Sequence, residues 1–195
     1  FERLGRETDV ARTLSGAIQS LIYLGLDEQA VRFSEQARAI FEKEGDELRL
    51  ARLDSNLGNI YYRQDRYHEA RSLYKRAFDR LMRLNRPKDA AAVLCNMGVA
   101  STGTGDFDAA AAEYARSREL ADREGLRSLA AQQDYNIAYL HFLRGNYTQA
   151  LRLYRDARRH SEEIGDEYHA ALCDLDQSEV YLDLNLIDES VNLAR

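Results

Sequence analysis

Apolar residues recur along this chain at intervals of three and four positions, and short polar turn signals interrupt them regularly. Leu53, Leu57, Ile60 and Tyr61 follow this spacing, which places all four on one face of an α-helix. The segments between the turn signals are roughly 16 to 18 residues long and rich in Ala, Leu, Arg and Glu, which are strong helix formers. No segment shows the two-residue alternation of a half-buried β-strand. The pattern therefore predicts an all-α fold.

The small residues and the turn signals repeat every 40 positions without an insertion. Five sets of positions carry the repeat: Ala30, Ala70, Ala110, Ala150 and Ser190; Ala37, Ala77, Ser117 and Ala157; Gly25, Asp65, Gly105, Gly145 and Asn185; Gly5, Gly45, Asn85, Gly125 and Gly165; and Ala11, Ala51, Ala91, Ala131 and Ala171. Gly, Asn and Asp tolerate the left-handed conformation that ends a helix. Each repeat therefore consists of helix A, a tight turn, helix B and a second tight turn.

This order predicts the bounds of the helices. The A helices are expected near residues 7–24, 47–64, 87–104, 127–144 and 167–184, and the B helices near 27–44, 67–84, 107–124 and 147–164, with a shorter one from 187. The repeats then span about 7–46, 47–86, 87–126, 127–166 and 167–195, and we expect a single solenoid over 1–195. Pro87 stands at a first helical position, where its missing N–H costs little.

The second repeat contains Leu57-Gly58, followed by Tyr61, Ala70 and Tyr74. This pattern resembles the tetratricopeptide repeat. The third and fourth repeats keep most of it, at these positions: Met97, Gly98, Phe107, Ala110 and Tyr114; Ile137, Ala138, Tyr147, Ala150, Tyr154 and Ala157. Its length is similar to that of the long repeats of kinesin light chain and of bacterial proteins with a CHAT domain. HEAT repeats also reach about 40 residues but lack this framework.

The resemblance implies a right-handed α-α superhelix, a tetratricopeptide solenoid of about five helix-turn-helix repeats. Its A helices would line a concave groove that binds extended or helical peptides. One register position of each A helix would face this groove, and it holds Gly16, Asn56, Asn96, Asn136 and Asp176. Amides offer both a donor and an acceptor, so a row of them could bind the main chain of a peptide. Alternatively, these amides tie adjacent A helices together or hydrate the groove.

Aromatic residues outside the packing framework lie on the same helices. Tyr135, Tyr139 and Phe142 share one helical face in the fourth repeat, and exposed aromatics are common interface anchors. The alternative is that the next repeat buries them. The complete set of candidate groove residues is Asn56, Asn59, Tyr62, Arg63, Asn96, Tyr135, Asn136, Tyr139, Phe142 and Asp176.

Charge and composition argue against two classes of binding partner, nucleic acids and membranes. The chain of 195 residues has 27 Lys and Arg against 33 Asp and Glu, a net charge of −6, which argues against a nucleic-acid partner. No stretch approaches the roughly 20 apolar residues of a membrane helix, so we expect no membrane partner. Cys95 and Cys173 form no CxxC motif, which favours a reducing, cytoplasmic setting. The basic runs of the B helices, such as Arg76 and Arg80 or Arg158, are expected to face solvent.

The sequence offers little for catalysis. None of the four histidines, His68, His141, His160 and His169, has metal-ligand spacing. The glycine-rich segment 102–106 lacks the lysine of a P-loop and follows a helix, so it is interpreted as a turn. We predict no enzymatic activity, no cofactor and no metal.

The chain ends suggest a fragment of a longer protein. Phe1 to Gly5 aligns with Phe41 to Gly45, and Arg195 falls inside a predicted helix B. Uncapped ends make a homodimer through them an open alternative. The leading hypothesis is a protein-interaction scaffold that binds a peptide or a partner segment. The alternatives are a regulatory or sensor module, as in a transcription regulator, and the targeting arm of a bacterial CHAT-type caspase-like peptidase.

Overall fold

The computed structural model describes residues 2–193, with side chains from Arg6 onward. Phe1 and Arg195, on which the expectation of a fragment depends, lie outside the described residues. Within residues 2–193 the chain forms ten helices and no strand. The helices are α1 (Glu2–Tyr23), α2 (Asp27–Glu44), α3 (Glu47–Arg63), α4 (Tyr67–Arg83), α5 (Pro87–Gly103), α6 (Phe107–Arg123), α7 (Arg127–Leu143), α8 (Tyr147–Ile164), α9 (Glu167–Asp183) and α10 (Ile187–Leu193).

These bounds agree with the predicted ones to within one residue, except at the start of α1 and at the end of α10, for which no bound was predicted. Helix α1 begins at Glu2 and continues through Gly5, so the predicted turn at Gly5 is wrong. A single glycine inside a helix costs only about 1 kcal/mol, and here good helix formers stand on both sides of it. Pro87 begins α5, as predicted.

The other nine predicted turn residues adopt the left-handed conformation, with φ between 53° and 77°. They are Gly25, Gly45, Asp65, Asn85, Gly105, Gly125, Gly145, Gly165 and Asn185. Three helices also begin at an aspartate whose carboxylate accepts a backbone N–H three residues later; these are Asp46, Asp106 and Asp166. Local sequence therefore fixes where the helices start and stop.

The chain divides into two compact units, one ending at Thr104 and one beginning at Gly105. In the N-terminal unit each helix packs against the next, and the A helices α1, α3 and α5 also contact one another in order. Ile18, Phe41, Leu53 and Ile60 are fully buried in its core.

The C-terminal unit contains α6 to α10 and repeats this arrangement, with α7 in contact with α8 and α9. Its core includes Ala138, Tyr154, Cys173 and Val180, none of which is exposed to solvent. Most of the small residues of the repeat are buried in both units, as Ala70 and Ala150 are, whereas Ala171 is exposed.

Arginines on the B helices are not simply a solvated face, contrary to the expectation from sequence. Arg76 and Arg80 of α4 both donate to the carboxylate of Asp54 on α3, which is fully buried. Arg158 of α8 binds both oxygens of Asp174 on α9, at 2.7 and 2.8 Å. Packing of consecutive helices brings these charges together. The ion pairs could not be recognised from the sequence because their members lie far apart along the chain.

Candidate functional site

In the N-terminal unit, five predicted site residues lie on α3 and α5. We call Asn56, Asn59, Tyr62, Arg63 and Asn96 the N-terminal face. All are half-buried except Arg63, which is exposed. Helices α3 and α5 contact each other, and Asn56 and Asn96 occupy the same register position on them.

Asn56 and Asn96 differ from their neighbours in having free amides. Within residues 2–193, neither side chain forms a hydrogen bond with another residue of the protein. A free, half-buried amide in a helix retains two donors and an acceptor for an incoming partner. These two residues therefore have the properties expected of the asparagine ladder.

The other three members of the N-terminal face already have intramolecular contacts. Asn59 accepts a 2.7 Å hydrogen bond from the hydroxyl of Tyr74, and Arg63 donates a 2.5 Å hydrogen bond to the backbone carbonyl of Ile22. Tyr62 packs against Tyr67, with ring centroids 5.4 Å apart. These residues shape the face, but less of their bonding capacity is open to a ligand.

Gly58 decides where the ring of Tyr74 lies. A Cβ atom added at Gly58 would stand 2.5 Å from Cε1 of that buried ring. The absence of a side chain lets the tyrosine pack directly on α3 and reach Asn59. Burial raises the pKa of the Tyr74 hydroxyl above its ordinary value, so the phenol stays protonated and donates.

In the C-terminal unit, the other five predicted site residues lie on α7 and α9. We call Tyr135, Asn136, Tyr139, Phe142 and Asp176 the C-terminal face. Asn136 donates a 3.4 Å hydrogen bond to Gln133. Asp176 is 8% exposed, so it forms part of the interior rather than of an open surface.

The aromatic residues of the C-terminal face form a half-buried row against the core. The ring centroid of Tyr139 lies 6.1 Å from that of Phe142, and Phe142 lies 6.1 Å from Tyr147. Tyr135 packs on Tyr154 at 5.9 Å. One side of this row packs on the core, and the rest of it is exposed to solvent.

Tyr154 and Asp176 explain why the ladder differs between the units. The Tyr154 hydroxyl donates a 2.9 Å hydrogen bond to Asp176, which lies 22 residues later. Burial and the nearby Asp176 carboxylate raise the pKa of Tyr154 above its ordinary value. The equivalent of this pair is Tyr74 and Asn96, but Tyr74 binds Asn59 instead and leaves the Asn96 amide free.

Sequence reasoning assigned Tyr74 and Tyr154 to the core and missed this role. The sequence feature that could have indicated this role is the small residue opposite each tyrosine ring. It is Gly58 in the second repeat and Ala138 in the fourth. An alanine leaves less room beside helix A than a glycine does. The ring partner on helix A is also different, since Tyr139 stands in the fourth repeat where Asn59 stands in the second.

The buried thiol of Cys173 lies in the core against which the C-terminal face packs. Burial and the neighbouring Asp176 and Asp174 raise the pKa of the Cys173 thiol to about 12, so it stays protonated at neutral pH. Among the residues with described side chains, no three His, Cys, Asp or Glu groups come together as metal ligands would. Over the same part of the chain, no helix combines the length and apolar character that crossing a bilayer requires.

Solved structures with a similar fold include three of different origin. A signal transduction ATPase with numerous domains and a tetratricopeptide repeat sensor, from Pyrococcus horikoshii, is 16% identical with a TM-score of 0.84, over 95% of this chain and 30% of that one. The Rap conjugation gene regulator of a plasmid, in complex with a Phr peptide, is 19% identical with a TM-score of 0.74, over 91% and 49%. A putative kinesin light chain from Podosopora anserina is 15% identical with a TM-score of 0.76, over 94% and 90%.

The chain thus spans less than half the length of the first two proteins. No curated protein sequence matches the chain significantly. Two family models, both described as the tetratricopeptide repeat, match it: one over residues 9–81 and 49–123, the other over 135–164. The predicted all-α fold of helix-turn-helix repeats is confirmed, and the chain belongs to the tetratricopeptide repeat family.

Proposed function

We propose that this protein is a non-catalytic interaction module that binds an extended peptide or partner segment along the exposed face of its A helices. The observation that carries the proposal is the pair of free amides, Asn56 and Asn96, at one register position on adjacent A helices. Asparagine has low helix propensity, so its placement in the middle of two helices favours a role in binding. Similarity to a regulator solved with a peptide also supports it.

The peptide segment on the N-terminal face is bound through its main chain. The amides of Asn56 and Asn96 can each donate to a peptide carbonyl and accept from a peptide N–H. On the C-terminal face the aromatic row of Tyr139 and Phe142 suits an apolar side chain. Each face therefore favours a different kind of ligand group.

A peptide-array screen followed by titration tests the proposal. The double variant Asn56→Ala/Asn96→Ala is expected to bind the selected peptide at least tenfold more weakly, since two hydrogen bonds are each worth about 1 kcal/mol. Its melting temperature should stay close to that of the wild type, because neither amide holds the fold together. Asn146→Ala is the matched control, since Asn146 is exposed and its side chain caps no backbone group.

Two results would contradict the proposal. The first is a double variant that binds as tightly as the wild type. The second is a fall of several degrees in its melting temperature, which would assign Asn56 and Asn96 to tying the A helices together. Failure of the array to select any peptide would count against peptide binding altogether.

A regulatory or sensor module is the second candidate, favoured by the similarity to a protein with a tetratricopeptide repeat sensor. In that case ligand binding should change the dimensions of the molecule, which small-angle scattering would measure. A scaffold should have the same dimensions with and without its ligand. The targeting arm of a CHAT-type peptidase is tested by the gene sequence beyond residue 195.

A cytoplasmic location and self-association are further proposals. Neither of the two cysteines, Cys95 and Cys173, forms a disulfide bond, which suits a reducing compartment. Sedimentation velocity over a hundredfold range of protein concentration tests for a homodimer. A sedimentation coefficient that keeps the value of a 22.3 kDa monomer at every concentration would exclude it.

A further inference from the structure

Asp54 and Asp134 occupy the same register position, two repeats apart, but their surroundings differ. The carboxylate of Asp54 accepts hydrogen bonds from three arginine side chains, Arg38, Arg76 and Arg80. Four N–H groups reach its two oxygens, which fills the usual acceptor positions of a carboxylate. The side chain of Asp54 is fully buried as a result.

Asp134 keeps partners at two of these three positions, one of them a histidine in place of an arginine. Arg118, the equivalent of Arg38, donates to both oxygens of Asp134. His160, the equivalent of Arg80, places its Nδ1 2.9 Å from Asp134 Oδ2. Three contacts are therefore made where Asp54 has four.

The third cation has no counterpart in the C-terminal unit. Asp156 stands at the position of Arg76, and its carboxylate binds Arg159 at 2.7 Å instead of approaching Asp134. Asp134 keeps one acceptor position open, and 22% of its side-chain surface is exposed.

A cleft of about 570 Å³ lies over this open position, between α6, α7 and α8. We call it the Asp134 cleft. Ile137, Leu153 and Ala157 form its apolar lining. Ile137 and Leu153 are half-buried here, whereas their equivalents in the N-terminal unit, Leu57 and Leu73, are 6% and 8% exposed.

The charged groups of the Asp134 cleft favour a cation. Its carboxylates are Asp134, Asp156 and Glu163, and its guanidinium groups are Arg118 and Arg159. One negative charge is in excess when the His160 imidazole is neutral. An apolar wall beside a partly exposed carboxylate fits a long side chain with an apolar stem and a charged head.

We propose that the Asp134 cleft binds an arginine side chain presented by a partner polypeptide. The guanidinium takes the place that Arg76 has beside Asp54 and donates to the open acceptor position of Asp134. Its stem lies along Leu153 and Ile137. Arginine is preferred over lysine because its planar fork can bind two acceptors at once. The cleft shares no residue with the C-terminal face, so this site is independent of the proposed function.

Titration of the labelled protein with the capped tripeptide Ac-Ala-Arg-Ala-NH2, followed by NMR, tests the proposal. Shift changes are expected around Asp134, Asp156 and Leu153. The same peptide with citrulline, a neutral isostere of arginine, should bind about tenfold more weakly, because the hydrogen bond is then no longer charge-assisted. The lysine peptide should fall between the two.

Two variants that fill the cleft from within complete the test. Asp156→Arg restores the Arg76 position and is expected to abolish the shifts and raise the melting temperature. Glu179→Arg makes the same charge change at an exposed site on α9 and should leave binding intact. If Asp156→Arg loses its helical circular dichroism, Asp156→Lys, which places a cation at the same position, takes its place. Equal binding of the citrulline peptide, or unchanged binding by the filled variant, would overturn the proposal.

Discussion

Arg38 and Asp54 form a 2.5 Å ion pair that joins the B helix α2 to the following A helix α3. The same pair recurs at the same separation of 16 residues, as Arg118 with Asp134 and as Arg158 with Asp174. In the one remaining position of this series, the buried side chains Phe78 and Leu94 take their places. At this position the repeat therefore carries either an ion pair between a B helix and the next A helix or two buried apolar side chains.

Asp54→Ala should destabilise the N-terminal unit by on the order of 3 kcal/mol, because it leaves partly buried arginines without their shared carboxylate. Urea denaturation followed by circular dichroism measures the change. Asp188→Ala, an exposed aspartate of α10, is the control and should change the free energy of unfolding by less than about 0.5 kcal/mol. A loss no larger than the control's would show that the ion pairs contribute nothing net.

Arg158→Phe/Asp174→Leu imitates the apolar pair Phe78 and Leu94. The double variant should be more stable than Asp174→Leu alone, since the single change leaves Arg158 without its carboxylate partner on α9. A double-mutant cycle in urea is expected to give a coupling of about 0.5 to 1 kcal/mol. If the changes in unfolding free energy caused by Arg158→Phe and Asp174→Leu simply add, an apolar pair does not replace the ion pair at this position.

Gly58→Ala should destabilise the protein by about 1 to 3 kcal/mol, because its Cβ would overlap the buried ring of Tyr74. The ring must move and the hydrogen bond to Asn59 is expected to break. The free energy of unfolding from urea denaturation gives the size of the effect.

Gly16→Ala is the matched control for this change. Gly16 is also helical, and an added Cβ there meets no atom within 4 Å. Alanine should therefore stabilise the helix by roughly 0.5 to 1 kcal/mol. The prediction for Gly58 is wrong if both glycine variants change stability in the same direction.

Tyr154→Phe should reduce the sensitivity of the protein to alkaline pH. Burial, together with the charge and hydrogen bonding of Asp176, raises the pKa of Tyr154. The folded protein therefore keeps the phenol proton where the unfolded chain releases it, above about pH 10. The contribution of this phenol to the free energy of unfolding is fully present below that pH. Above it, the free energy of unfolding falls by about 1.4 kcal/mol per pH unit for each such phenol.

The predicted effect of Tyr154→Phe is tested by measuring how steeply the free energy of unfolding falls with pH between pH 10 and 11. It should be shallower in Tyr154→Phe than in the wild type. Tyr168→Phe, at a tyrosine that is 68% exposed, is the control and should keep the wild-type slope. Identical slopes in all three proteins would show that Tyr154 titrates equally in the folded and unfolded chains.

Most of the helix bounds could be predicted because they depend on local chemistry. Gly45 and Gly165 end helices in the left-handed conformation, and Asp106 caps the start of another. The predicted turn at Gly5 was wrong because a glycine is permitted, though not favoured, inside a helix. The register of the repeat also placed Asn56 and Asn96 on adjacent A helices correctly, which is the part of the candidate site that sequence could supply.

The bonding of the site residues could not be predicted in the same way. Asn59 and Asn96 are both asparagines of the predicted groove, yet the first binds Tyr74 and the second is free. The choice depends on a ring position that Gly58 permits across two packed helices. Asp176 was assigned to the open ladder, but Tyr154 binds it in the interior.

The sequence by itself determined the all-α repeat, the helix bounds and the register of its A helices, because turn chemistry and apolar spacing act over a few neighbouring residues. Only the tertiary structure decided which polar groups remain free. Arg76 and Asp54 are 22 residues apart in the chain but are joined in the fold, while Asp156, in the place of Arg76, leaves a cleft over Asp134. Such pairings depend on the packing of whole helices, where a difference of one side chain decides whether a charge is satisfied within the protein.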